Sequence, residues 1–205
     1  MPRPNKMNGQ KEVILAFLPL DSDLLEKSVL NWAAAKIAPK RKYKVSSSVK
    51  QNPMVHVECW LRDDNDKSSG YAASICYNRE AHYHRKKFSR TSWHFRSIFV
   101  TNAQFKKLKL LFSHYRGSPF NRVGFFALAC GLRIKGSWRT KFGFKRSFFC
   151  AELVVHCLKE VGYFQKGATN EIPEVCHPEE LFQWVSLTSS TVTTIREYEQ
   201  NKVQY

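Results

Sequence analysis

Two residues in this chain have the type and the local setting for nucleophilic chemistry. Cys150 stands where a loop gives way to an apolar-striped segment, Ser147-Phe148-Phe149-Cys150-Ala151-Glu152-Leu153-Val154-Val155-His156-Cys157-Leu158. A thiol at a helix N-terminus meets unpaired backbone N–H groups and the positive end of the helix dipole, and both favour the thiolate that attacks a carbonyl carbon. His56 lies in Met54-Val55-His56-Val57-Glu58-Cys59-Trp60, which reads as a strand. A strand histidine and a helix-start cysteine are the minimum set for covalent catalysis by a thiol. Strand alternation puts His56 and Glu58 on one face with Met54 and Trp60, and Val55, Val57, Cys59 and Leu61 on the other. The apolar face anchors the strand, so His56 and Glu58 point away from that core, where the carboxylate can hold the imidazole or bind substrate.

These residue types also have plainer uses. Cys150, Leu153, Val154, Cys157, Leu158 and Val161 share one helical face, so Cys150 can be the first core residue of that stripe. Its place in the first turn, where packing has no need of a thiol, argues for the catalytic use. Cys157 reads as core, His156 falls off the stripe and reads as solvent-facing, and Glu152 reads as a carboxylate complementing the dipole. Cys176-His177 and the pair His82 and His84 are of metal-ligating type, but their positions are scattered and no C-x-x-C is present, so no metal site is assigned. Neither a phosphate-binding loop nor a dinucleotide fingerprint occurs, and no cofactor is expected.

The elements that must position these groups follow from periodicity. Glu12 to Leu20 is a continuous apolar run, a buried strand ended by Pro19, and Asp21-Ser22-Asp23 caps a helix from Leu24 to about Ile37. Residues 38–52 read as a basic, serine-rich loop. Met54 to Leu61 and Tyr71 to Tyr77 form a hairpin around an Asp- and Gly-containing turn. His82 to Arg90 is a basic stretch. Trp93 to Val100 reads as a strand, Asn102 to about Tyr115 as a helix broken by Gly117-Ser118-Pro119, and Val123 to Leu132 as an apolar helical segment. Lys135 to Arg146 is a Gly- and Lys/Arg-rich connection, the Cys150 helix ends near Gly162, and His177 to Val185 is a short helix with proline at its start. The expected organisation is a flexible basic tail over 1–10, one domain over 11–187 and a C-terminal tail over 188–205.

The chain has 205 residues, 43% of them hydrophobic and 14% aromatic, which suits one domain with a real core and excludes a disordered chain. No apolar run reaches the roughly 18 residues a transmembrane helix needs, and no signal-peptide cleavage site is visible, so an intracellular, cytoplasmic protein is expected, including one of an infected host cell. Six cysteines do not make a disulfide scaffold; Cys59, Cys130 and Cys157 sit in apolar sequence as reduced core thiols do. The net charge of +16 favours an anionic partner: nucleic acid, an anionic membrane surface or an acidic protein. Basic residues interleaved with aromatics, as in Tyr83 to Phe88 and Trp138 to Arg146, suit stacking and phosphate contact.

The ordered set His56-Val57-Glu58, Pro119-Phe120-Asn121-x-x-Gly124-Phe125, Phe149-Cys150-Ala151-Glu152-Leu153-Val154 and Pro178-x-x-Leu181 resembles the circularly permuted NlpC/P60 group of papain-like cysteine hydrolases, with its bacterial YiiX-type and viral, poxvirus-like members. The resemblance covers roughly residues 12–187 and leans toward the viral branch. It implies an α+β, permuted papain-like fold, a small antiparallel sheet packed on the helix that starts at the nucleophile. It implies Cys150 as nucleophile, His56 as general base, and an oxyanion held by the Cys150 N–H and a neighbour such as that of Ala151. The third catalytic residue of many relatives comes from the next strand, here Tyr71 to Tyr77, which contains no acid; Glu58 is the first choice and Ser74 the second. The expected substrate is a peptide, isopeptide or lipid-acyl bond. Lipid acyltransfer or thioester hydrolysis, and an inactive basic protein that binds nucleic acid or anionic membrane, remain as alternatives.

Overall fold

The computed structural model describes residues 9–24, 36, 38–39, 52–62, 68–88, 91–164 and 172–188. Five strands, β1 (Gln10–Pro19), β2 (Met54–Arg62), β3 (Gly70–Ser74), β4 (His82–Lys86) and β5 (His94–Thr101), form one antiparallel sheet in the order β4-β3-β2-β1-β5. The helices among the described residues are α1 (Asn102–Tyr115), α2 (Arg122–Ala129), α3 (Cys150–Glu160) and α4 (Pro178–Thr188), with a 3-10 turn at Gly136–Phe142. The architecture is α+β, as expected. No helix among the described residues is long and apolar enough to cross a membrane. Most of the expected helix over 24–37, most of the 38–52 loop and nearly all of both tails lie outside the described residues. The tail boundaries shift where they can be seen, because Gln10 already pairs in β1 and α4 runs on to Thr188.

β1 lies between β2 and β5. Val13 through Leu18 are all buried, and a continuous apolar run is what a strand covered on both faces needs. One face carries Val13, Leu15 and Phe17 with Val57, Cys59, Leu61 and Ala73, packed against Leu153, Val154, Cys157 and Leu158 of α3. The other carries Ile14, Ala16 and Leu18 with Trp60, Ala72, Trp93 and Phe95. Strand alternation alone leaves that second face open, but aromatic side chains close it, so Trp60 is 5% exposed and Glu58 only 3%. Each large side chain moved out of water contributes roughly 1.5–3 kcal/mol, and this second cluster is what holds the β1–β2–β3 surface flat against the site.

The alternation of β2 is broken at its start. Leu18 pairs with His56 but Pro19 pairs with Met54, so Val55 is the extra residue of a bulge. Met54 therefore joins the main core with Val57, rather than sharing a face with His56 and Glu58. Met54 N–H donates to Glu179 Oε2 at 2.8 Å, which ties the bulge to α4. Within the basic stretch His82 to Arg90, His82–Lys86 form a strand. Its alternation turns Tyr83 to the main core while His82 and Lys86 face Glu58.

Close approach dictates two glycines. A Cβ on Gly124 would lie 2.3 Å from Asn121 Nδ2 and 2.4 Å from the Ile134 carbonyl oxygen, and one on Gly136 only 1.8 Å from the Ser147 carbonyl oxygen. Gly143 has open space around it but a φ of +76°. Gly136→Ala is expected to cost about 3 kcal/mol, the upper end for overpacking, and Gly143→Ala about 1 kcal/mol, for a left-handed backbone alone. Urea unfolding of the two variants checks the order; equal losses would contradict the packing at Ser147.

Candidate active site

Cys150 owes its place to the chain just before it. Phe148 N–H donates to the Pro119 carbonyl at 3.1 Å and Asn121 N–H donates to the Phe148 carbonyl at 2.7 Å, a short parallel bridge that fixes the entry to α3. Phe149 is the extended N-cap residue and offers no side-chain cap. The first-turn N–H groups of a helix, here those of Cys150 and Ala151, have no intrahelical acceptor. Phe148 and Phe149 are sunk in the core, and Cys150 keeps 7% of its surface exposed.

Glu152 locks the same turn. One carboxylate oxygen accepts from Asn121 Nδ2 and the other from Gly136 N–H, each at 2.9 Å. Asn121 also caps α2, its Oδ1 accepting from Gly124 N–H at 2.9 Å, and its Nδ2 donates to the Ile134 carbonyl at 3.0 Å. The separated motifs Asn121-x-x-Gly124 and Cys150-Ala151-Glu152 are thus one physical unit. Glu152 is the acidic residue of the first turn, where a carboxylate complements the dipole, and it is fully buried. Burial pushes its pKa up to about 7 against the opposing pull of the Asn121 and Gly136 hydrogen bonds and of Arg146.

His56 lies at the end of the sheet toward which α3 begins, at the bulge of β2. Its side chain is 13% exposed. The Cys150 thiol is near enough to the ring to raise its pKa, and the ring centroid lies 6.1 Å from that of Trp93. Nε2 is 3.5 Å from Glu58 Oε1 and 3.4 Å from Ser74 Oγ. Ser74 Oγ donates its hydrogen to the Val57 carbonyl at 2.6 Å, so toward His56 it can only accept. Two acceptors at Nε2 place a proton there and leave Nδ1 as the nitrogen for the thiol. Both sequence candidates for the third position, Glu58 and Ser74, therefore sit at His56.

Glu58 is the electrostatic hub. Lys86 Nζ donates to Oε1 at 2.6 Å, and His82 Nε2 lies 3.7 Å from Oε2. Burial would raise its pKa, but the neighbouring His56 and His82 rings and the charges of His56 and Lys86 hold it well below the carboxylate range. For His56, burial works against the charged ring, yet hydrogen bonding to Cys150 and Glu58 and the charge of Cys150 outweigh it and raise the pKa well above 6.5. The depressed carboxylate stabilises the fold above pH 4.5 and loses that contribution as pH falls; the raised imidazole stabilises it below pH 6.5 and loses it as pH rises. The pair holds the sheet end most firmly between those values.

The remaining expectations divide. Cys59 and Cys157 are core thiols, whereas Cys130 is exposed; all six cysteines are free. His156 is buried, not solvent-facing, since Cys150 through Leu158 are buried on every side of α3. It is held by the Tyr115 hydroxyl at 2.9 Å and by Glu174 at 3.4 Å, and Arg146 also reaches Glu174. His177 caps α4: Nδ1 accepts from Glu179 N–H at 3.1 Å while His177 N–H donates to Glu180 Oε2 at 3.0 Å. Among the described residues, no group of three or more His, Cys, Asp or Glu side chains is placed to hold a metal ion. Lys86 and His82 support Glu58, and Asn121 and Gly136 support Glu152; from sequence His82 reads only as of metal-ligating type, Asn121 only as part of a motif, and Lys86 and Gly136 are not singled out at all. Only the i, i+2 alternation inside the basic stretch could have revealed the first two.

A cavity of about 430 Å³ opens beside the α2 and α3 entry, lined among others by Asn121, Ser147, Phe120, Trp138, Arg122 and Arg139. Its wall reaches Ser147 but does not include Cys150 or His56. Compared with family models, curated proteins and solved structures, the chain matches none.

Because folding raises the Glu152 pKa from 4.5 to about 7, the folded state holds that proton more tightly than the unfolded chain, and stability falls as pH rises across this window. Glu152→Gln has no such proton to lose. Relative to the wild type, its stability is expected to improve by about 3 kcal/mol from the bottom of the window to the top. Urea unfolding at both ends measures this, and a difference independent of pH would contradict the burial of the carboxylate.

Proposed function

We propose that this chain is a cysteine-nucleophile hydrolase that cleaves an amide, isopeptide or acyl bond through an acyl-enzyme. The observation that carries the reading is the electrostatic coupling of the Cys150 thiol, at the first residue of α3, to the His56 ring, whose Nε2 lies beside Glu58 and Ser74. Order along the chain supports a permuted papain-like arrangement, since the histidine strand precedes the cysteine helix. The motif resemblance to the permuted NlpC/P60 group points the same way.

In this mechanism His56 Nδ1 takes the thiol proton and Cys150 Sγ attacks the carbonyl carbon. The oxyanion accepts hydrogen bonds from the N–H groups of Cys150 and Ala151, donors fixed in place before charge develops. Nδ1 returns its proton to the leaving nitrogen or oxygen as that bond breaks, leaving a thioester on Cys150. The imidazole then takes a proton from water, which attacks the thioester and frees the acid. Glu58 stabilises the imidazolium in both halves and Ser74 fixes the ring plane, so the two share the orienting role. A lipid acyltransferase or thioesterase uses the same groups, with an alcohol or amine replacing water in the first case.

An activated acyl ester mixed with the protein and quenched in acid is expected to leave its acyl group on Cys150, located by peptide mass spectrometry. Cys150→Ala should abolish the adduct, and His56→Ala should slow turnover by roughly a hundred- to ten-thousand-fold. An adduct on Cys76 or Cys130 that survives Cys150→Ala would overturn the assignment and leave a basic binding protein.

A further inference from the structure

We infer that the face built by α2 and the 3-10 turn docks on an anionic lipid bilayer. The charge of the chain is not spread along it. Residues 81–151 contain 16 Lys and Arg and no Asp or Glu, leaving 17 basic against 17 acidic residues elsewhere. The whole net charge of +16 therefore belongs to the one stretch that includes α2 and the 3-10 turn. Within it, Val123, Phe126, Leu132, Trp138, Phe142 and Phe144 are between 42% and 69% exposed. Bulky apolar groups left in water in this density mark an interaction surface.

The groups form one face. Val123 and Phe126 are three residues apart on α2 and so lie on the same side of it. Val123 and Trp138 share the wall of the cavity, Trp138 stacks edge-on with Phe142 at 6.2 Å, and the Arg139 guanidinium lies 5.5 Å from the Phe144 ring. Arg133 and Lys135 are paired with Glu180 and Glu174. By contrast, among the described residues no carboxylate lies within ion-pairing distance of Arg122, Arg139, Lys141 or Lys145. Arg122 and Arg139 line the cavity with Val123 and Trp138, as does Glu80, and Lys141 and Lys145 adjoin Phe142 and Phe144 in the chain.

Cations beside protruding apolar groups match a bilayer surface. The hydrocarbon enters the boundary between headgroups and acyl chains while Lys and Arg meet headgroup phosphates. A single-stranded nucleic acid would want rings as stacking platforms along a groove; Val123 and Leu132 have no ring. The docking is independent of whether Cys150 is a nucleophile. It sets the mouth of the cavity, lined by Arg122, Val123, Trp138 and Arg139, against the headgroups.

Flotation of the full chain with vesicles tests this. Binding is expected to vesicles of phosphatidylcholine containing phosphatidylserine, and not to pure phosphatidylcholine. Phe142→Ser with Phe144→Ser should weaken it at least tenfold with the thermal unfolding midpoint unchanged, and Lys141→Glu with Lys145→Glu should weaken it as strongly. Trp138 emission should shift to the blue on binding, a change missing in Trp138→Phe. The proposal is overturned if the Phe variant binds like the wild type. It is also overturned if the chain ignores anionic vesicles while a single-stranded oligouridine binds and loses affinity in the same variants, which would reassign the face to nucleic acid.

Discussion

Glu152 accepts one hydrogen bond from Asn121 and one from the backbone of Gly136, and the position of Cys150 depends on both. The carboxylate belongs to the first turn of α3, so anything that holds it also holds the thiol two residues earlier. Asn121 brings with it the N-terminus of α2, and Gly136 brings the start of the 3-10 turn. Three chain segments meet at one buried acid. Ionised, it satisfies both donors; protonated, it suits the burial but leaves one donor facing a hydroxyl. That competition is why its pKa rises only to about 7 instead of leaving the acid neutral throughout.

On the sheet side the corresponding group is Glu58, nearly buried and yet firmly ionised. Burying a charge is costly unless it is paired and hydrogen-bonded. Lys86 supplies the close partner, and His56 and His82 bring positive charge when protonated. Lys86 is itself held over the Phe88 and Trp93 rings at 4.7 Å and 5.0 Å, so the second aromatic cluster packs the sheet and fixes a charge at once. The result is an imidazole held from behind by an anion, which is the electrostatic setting a base paired with a thiol requires.

Much of this was legible in the residues. The 3.6-residue stripes gave α1 and α3, a threonine and a glutamine three apart form the capping box of α1, and the alternation from Met54 gave the hairpin. The bulge at Val55 was not legible, because a one-residue insertion leaves no mark on composition. The strand from His82 to Lys86 was hidden by its charge: one face meets Glu58 and the other carries only Tyr83 inward, so no apolar alternation appears. His156 misled for a physical reason. Polarity implies exposure for a helix that lies on a surface, but α3 is enclosed, and its polar groups are instead matched to buried partners. The meeting of Asn121 with Glu152 likewise depends on a chain reversal that spacing does not encode.

The account rests on contact between the Cys150 sulfur and the His56 ring. Titration of His56 by imidazole NMR, in the wild type and in Cys150→Ala, reads that contact directly. With the thiol present the His56 pKa lies well above 6.5; with it removed, burial is less strongly opposed and the pKa is predicted to fall, Glu58 alone still supporting the charged ring. An unchanged His56 pKa in Cys150→Ala would mean that the two side chains do not meet, and would contradict the site.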